Sequence, residues 1–239
     1  MSVLRIAAAV LLAAVPLVAG CSDDDSKPAP PAPKATPVAD MDIAKYLADH
    51  GVTQQLQTAA DDFPLNISVQ LPSRWAASQT YPNVYLFLAN PRALDQQFQP
   101  NALIYVAKLT GNFDPKQAIT RGATGLSQAK GFQKIRDSLD DFENFPSNLV
   151  EYTYVQDEEQ RKEFKKQLDE QLRQSGRHSD LPEPTGDLKL RVLNRFVFAT
   201  SGDDKFLIQL QATITDAQAP QLEDDIKAID EGLKLSFKK

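Results

Sequence analysis

Cysteine is almost missing from these 239 residues: there is one, Cys21. A single thiol excludes an internal disulfide, a cysteine zinc site and a cysteine-held iron–sulfur cluster. Histidine is nearly as scarce, with His50 and His178 far apart and in no metal-type spacing, so no metal site and no cofactor is expected. Basic residues are outnumbered, 26 Lys+Arg against 32 Asp+Glu for a net charge of −6. Duplex-binding domains are usually basic, so no nucleic-acid partner is expected. P-loop, dinucleotide fingerprint, HExxH and calcium-loop patterns are absent. No apolar run of eighteen residues occurs, so no spanning helix is expected. What is present is ordinary for a globular chain: 42% hydrophobic and 24% charged residues. That balance excludes disorder over the full length, and the length suggests one domain with appendages.

The first such appendage is the N-terminus. Arg5 supplies a positive charge, and 6–19 is apolar apart from Pro16. The run is too short to cross ~30 Å of hydrocarbon comfortably. A charged start, an apolar stretch and small residues before a cleavage point form a signal peptide, expected over 1–20. The small residues are Val18-Ala19-Gly20, and Cys21 follows. This resembles a bacterial lipobox. The resemblance implies a diacylglycerated Cys21 thiol, cleavage just before it, and a membrane partner reached through a covalent lipid anchor. An ordinary secretory signal with a stray thiol is the plainer alternative. Loss of Arg5 on cleavage takes the formal charge from −6 to −7 (−6 − 1).

Residues 21–40 have no apolar period and contain Pro28, Pro30, Pro31, Pro33 and Pro37. Proline fixes φ and removes donors, which disfavours helix and sheet. We read a tether. At about 3.1 Å per residue in polyproline II it reaches ~60 Å at most. Asp23-Asp24-Asp25 reads as a solvated run within it.

Residues 41–239 read as the globular part. Asp40 or Asp42 caps a helix near Met41, with Ile43, Leu47 and Leu56 on one face and a break at Gly51. Phe63, Leu65, Ile67, Val69 and Leu71 alternate as a strand that Pro72 ends. Runs at 84–90, 102–109 and 149–155 are further strands. Asp114-Pro115 starts a helix carrying Ala118, Ile119, Leu126 and Ala129 and stopping near Gly131. Gly122 and Gly125 weaken it but allow close approach to a sheet. Residues 188–200 and 205–215 form the longest hairpin, with Phe206, Ile208 and Leu210 alternating with Lys205, Gln209 and Gln211. A final helix carries Leu222, Ile226, Ile229 and Leu233. Short strand connections favour an antiparallel sheet, so the fold class is α+β.

One stretch departs from this rhythm. Residues 157–174 are densely charged around a stripe of Phe164, Leu168 and Leu172, with Glu158–Lys162 and Asp169–Arg173 at i,i+4 spacing. Gly176 to Gly186 follows as a loop. We read a charged helical insertion at about 157–186, which docks either on its own domain or on a partner.

Catalytic patterns are weak. Ser127-Gln128-Ala129-Lys130 matches S-x-x-K, but the accompanying S-D-N and K-T-G elements are absent. A serine hydrolase or penicillin-interacting enzyme using Ser127 is therefore only a minor alternative. Asp140-Asp141 are neighbours in a loop and do not converge on one substrate. The aromatics Trp75, Tyr81, Tyr85, Phe87, Tyr105, Tyr152 and Tyr154 lie on or near strands. Most suit a core, although a sheet face lined by tyrosines would also suit an amphiphile.

A family resemblance now emerges. It rests on the lipobox and Pro/Ala-rich tail, on Ile67-Ser68-Val69-Gln70-Leu71-Pro72-Ser73-Arg74-Trp75, and on Phe206-Leu207-Ile208-Gln209-Leu210 leading through Ala212-Thr213 and Asp216-Ala217-Gln218-Ala219 into the last helix. Loosely over 40–239, the chain resembles the LpqN-type lipoproteins of mycobacteria and related actinobacteria. The resemblance implies a PsbP-like α/β/α sandwich with a central antiparallel sheet flanked by helices. It also implies a cell-envelope protein on the extracytoplasmic side of the membrane, without established catalytic residues. The role it suggests is a non-enzymatic binding or accessory module linked to envelope lipid transport, with an envelope protein or lipid as partner. A carrier of an apolar, lipid-like ligand is the alternative. The charged helix does not match the shorter connection expected of the family.

Overall fold

The computed structural model describes residues 42–78, 84–93, 98–122, 126–174 and 183–238. The leader, Cys21, the tether, Tyr81, Gly125 and His178 lie outside these, as do the side chains of Ser127, Leu168 and Leu172.

Helix α1 (Asp42–Asp49) buries Ile43, Tyr46 and Leu47, one face at i, i+3, i+4 spacing. Gly51, at φ 65°, ends it by supplying the left-handed turn. Leu56 does not continue that face. It sits in β1 (Thr53–Gln57), which pairs antiparallel with β5 (Asn101–Thr110). A full ladder of backbone bonds outweighs a one-residue match to the helical period.

The other strands are β2 (Leu65–Val69), β3 (Ala76–Ser78), β4 (Leu86–Ala89), β6 (Gln133–Ser138), β7 (Ser147–Gln156), β8 (Leu188–Ser201), β9 (Asp204–Thr215) and β10 (Leu233–Phe237). Eight strands make one antiparallel sheet in the order β3-β4-β5-β9-β8-β7-β6, with β1 paired to β5 beside β4. Its spine is the β8–β9 hairpin, turned at Gly202-Asp203 with Gly202 at φ 58°. A separate ribbon pairs β10 with β2.

One face of the sheet carries Ala102, Ile104 and Val106 from β5, Phe206, Ile208, Leu210 and Ala212 from β9, and Leu193 and Val197 from β8. It packs against α4 (Ala219–Glu231), through Leu222, Ile226 and Ile229, and against the β2–β10 ribbon. The opposite face lies under α1 and α2 (Pro115–Ile119) at one end and meets α3 (Glu158–Gln174) through Phe164. This is the antiparallel-centred α/β/α arrangement that the resemblance implied.

Two helices end earlier than their apolar spacing suggests. Asp114 caps α2 as expected, its Oδ1 accepting from Lys116 N at 2.9 Å, but α2 has only five residues. Gly122 is buried against the sheet, where a Cβ would lie 3.1 Å from the Phe196 ring and 3.2 Å from Asn148. Leu126 belongs to a separate 3-10 turn. Close approach to the sheet has replaced helix continuation. Likewise α4 stops before Leu233. A Cβ on Gly232 would sit 2.8 Å from the Ala228 carbonyl and 2.9 Å from that of Gln70. The chain there turns against β2 and ends in a strand rather than in the helix expected.

Trp75 of the Leu-Pro-x-x-Trp turn is buried, and its indole N–H donates to Asp225 Oδ2 at 2.8 Å. The turn is thus fastened to α4.

Candidate functional site: a polar band on the helix-covered sheet face

The sheet face under α1, α2 and α3 is apolar at its ends and polar across its middle. Register places the polar residues in adjoining rows. Asn101 of β5 lies opposite Thr213 of β9. In the next row Gln211 of β9 lies opposite Asn194 of β8. In the third, Tyr105, Gln209, Phe196 and Asn148 follow one another across β5, β9, β8 and β7. Gln99, two residues before Asn101, extends the band at its upstream end.

These side chains were legible only as half a pattern. The alternation of Gln209 and Gln211 with Ile208 and Leu210 reads as a solvent face, yet Gln211, Thr213, Asn194, Asn101 and Gln99 are all buried. Gln209 Nε2 donates to Asn194 Oδ1 at 3.1 Å, and Asn101 Nδ2 donates to the Gln99 carbonyl at 3.0 Å. Other groups have no hydrogen-bond partner: both side-chain atoms of Gln99, Asn101 Oδ1, Thr213 Oγ1 and Asn148 Oδ1. Native proteins pair nearly all such groups, because each unpaired one costs about 1–3 kcal/mol. Their clustering along this band suits a hydrogen-bonding guest or bound waters. Tyr105 and Gln209 are half-buried and bring the band towards the surface.

The tyrosines singled out from sequence divide. Tyr152 and Tyr154 are buried with Phe98, Leu126, Val150, Leu190 and Val192, and desolvation raises both phenol pKa values well above the ordinary one. They are core. Tyr105 sits in the band, and Tyr85 packs edge-on to Phe63 on the opposite side.

Of the catalytic alternative at 127–130, the Ser127 side chain lies outside the described residues. Lys130, the lysine of S-x-x-K, is exposed and bonded to Asp187 at 2.8 Å. That contact raises its pKa above the ordinary lysine value. His50 stacks on Tyr46 with ring centroids 4.1 Å apart, and its Nδ1 lies 2.8 Å from the Tyr46 carbonyl. Asp140 Oδ2 accepts from Ser138 Oγ at 2.6 Å, which shapes a loop. Among the described residues no group of three metal-ligating side chains comes together.

Helix α3 is fastened to its own domain at its N-terminal half. Buried Arg161 donates to the Thr185 and Gly186 carbonyls, at 3.2 and 2.9 Å. Asp187 Oδ1 accepts from Glu158 N at 3.3 Å, and Glu158 Oε2 from Gly186 N at 2.6 Å. Phe164 packs towards Phe87 and Leu103. Glu158 pairs with Lys162 as its spacing suggests. Asp169 does not pair with Arg173. It bonds Lys165 at 2.7 Å, while Arg173 reaches Glu170. A shallow groove of about 520 Å³ lies between α3 and Glu183.

These contacts have a pH consequence. Lys162, then the Gly186 N–H, hold the Glu158 pKa below the ordinary carboxylate value, and Lys130, then the Glu158 N–H, do the same for Asp187. A depressed folded-state pKa contributes stability above the unfolded pKa, and that contribution is lost as pH falls through the folded value. The start of α3 should therefore lose amide-exchange protection, relative to β8 and β9, as pH drops below about 4. Protection of α3 that tracks β8 and β9 down to pH 3 would contradict this clamp.

The known proteins similar to this chain bear on its role. The family model Lpp-LpqN, described as "Probable lipoprotein LpqN", matches residues 39–169 and 184–236, leaving out 170–183. Its match thus takes in the first turns of α3. The Proline-rich 28 kDa antigen of Mycobacterium tuberculosis is 27% identical over 189 residues, which are 78% of this chain and 51% of that protein. Its Mycobacterium leprae homolog is 28% identical over 209 residues, 87% of this chain and 64% of that protein. The chain spans about half the length of the first of these relatives. The crystal structure of LpqN involved in cell envelope biogenesis of Mycobacterium tuberculosis superposes with a TM-score of 0.63 at 19% identity, covering 81% of this chain and 96% of that one. At that identity the likeness speaks to fold.

Proposed function

This chain belongs to the LpqN family of lipoproteins, and from that membership we propose that it is a membrane-anchored, non-enzymatic binding module on the outer face of the membrane. An acylated Cys21 holds it there, and 21–40 lifts the globular part clear of the headgroups. Its setting is cell-envelope biogenesis, the role named for LpqN of Mycobacterium tuberculosis. The observation that carries the reading is the buried polar band: Gln99, Asn101 and Thr213 hold unsatisfied hydrogen-bonding atoms on a face otherwise lined by apolar side chains. That combination suits an amphiphile, whose polar groups meet the band and whose apolar part lies along its flanks.

Binding sites often keep polar groups that an apolar replacement would relieve. Gln99→Leu with Thr213→Val should therefore raise thermal stability, since removing unpaired buried polar atoms is neutral or stabilising. The same change should deplete the non-covalent lipid-sized mass, beyond the covalent anchor, that native mass spectrometry is expected to find on the intact protein purified from an actinobacterial host. A wild-type protein that carries no such mass, under conditions where a known lipid carrier keeps its ligand, would sink the amphiphile reading. A double variant that is more stable and equally loaded would remove the band from it.

A further inference from the structure

Strand β6 forms one edge of the main sheet and, among the described residues, pairs only with β7. The two large hydrophobic side chains most exposed among those residues lie at this edge: Ile135, 46% exposed, and Leu139, 55% exposed. A bulge between Lys134 and Arg136 leaves Ile135 without a partner on β7. Unpaired edges invite strand addition, and an apolar one more so. The order of residues here is self-complementary when read antiparallel. With the two-fold axis between Ile135 and Arg136, these two residues face each other, Gln133 faces Ser138, half-buried Phe132 faces Leu139, and Lys134, which bonds Asp137 of its own strand at 3.0 Å, also faces Asp137 of a second copy. Each match occurs twice.

We propose that β6 pairs with β6 of a second copy, joining the two main sheets edge to edge about a two-fold axis. Such an isologous contact consumes both edges and closes at two copies. Cross-strand contacts of opposite charge and of apolar groups each add only about 0.2–1 kcal/mol, so the contact is weak in dilute solution. Confinement of tethered copies to one membrane surface raises their effective concentration and favours it.

Two differently tagged full-length copies test this, one carrying Gln133→Cys and the other Ser138→Cys. Directly opposed residues of an antiparallel pair come within disulfide reach. Mild oxidation of cells should yield a tagged heterodimer for this combination. Gln133→Cys on both copies should give none, because those positions lie far apart across the axis. Lys134→Glu in both copies sets like charges against Asp137 and should abolish the cross-link, whereas Lys134→Glu in one copy with Asp137→Lys in the other breaks each strand's own Lys134–Asp137 pair, keeps opposite charges across the axis and should retain it. Membrane fractionation of the same sample reads anchoring separately, so a lost anchor is not mistaken for lost pairing. A cross-link no stronger than that of the Gln133→Cys control, or one indifferent to Lys134→Glu, overturns the proposal.

Discussion

Replacing Asp230 with alanine should cost about 3–5 kcal/mol of folding stability, the usual result of stranding the partner of a buried ion pair. Asp230 is 3% exposed on α4. Its two oxygens accept from Arg195 Nε at 2.5 Å and Nη2 at 2.6 Å. Arg195 rises from β8 and is half-enclosed by the Phe142 ring, whose centroid lies 4.4 Å from its Cζ. Its remaining nitrogen reaches Ser147 Oγ at 3.3 Å. The bidentate pair therefore clamps α4 to the sheet, and alanine leaves a guanidinium buried without its counter-charge. For a domain of this size each kcal/mol lowers Tm by about 2–4 °C, so a fall of roughly 10 °C is expected. The control is the double replacement Arg195→Met with Asp230→Leu, which removes both charges and should cost less than Asp230→Ala alone. Urea midpoints at unchanged m value would measure both. A loss under about 1 kcal/mol for Asp230→Ala would mean that water reaches Arg195 and the clamp is not buried in solution.

The second large effect concerns location. Cys21→Ala should abolish anchoring as a mature lipoprotein. One acyl chain binds a bilayer only marginally, with a constant of about 10⁴ M⁻¹, and stable attachment takes two signals. Removing the acceptor thiol removes every chain attached through it. The intact mass of the wild-type protein should show a diacylglyceryl adduct on an N-terminal Cys21, and the variant should show neither adduct nor cleavage before residue 21. A variant that still partitions into detergent as a processed lipoprotein would place the anchor elsewhere.

The same contrast between local and distant causes separates what was legible in advance. The ends of α1 and α2 were written in single residues: Gly51 where a left-handed turn is needed, Asp114 where two amides need an acceptor. The β8–β9 hairpin was legible because period-2 alternation and a Gly202 turn are both short-range signals. The short strands β1, β3, β6 and β10 were not. Their own residues carry little preference, and β6 is exposed along nearly its whole length. They exist because a neighbouring strand offers a ladder. Leu56 and Leu233 fit a helical period but lie in strands for the same reason, since a local period competes poorly with backbone pairing supplied from elsewhere in the chain.

The candidate site shows this most sharply. Glutamine at 209 and 211 and threonine at 213 satisfy the alternation of a strand with one wet face, and nothing local tells wet from covered. Burial came from segments distant in sequence that pack on this face, Phe98 and Leu126 among them as well as α1, α2 and Phe164 of α3. Thus the amino-acid order alone determined the family resemblance, the α+β class and the stronger elements, and it carries the expectation of a leader ahead of Cys21, all properties of contiguous residues. The tertiary structure decided which polar side chains are buried, which acidic residue each arginine meets, and which strand is left at the edge. Those depend on two chain segments meeting, and the free energy of that meeting belongs to neither segment by itself.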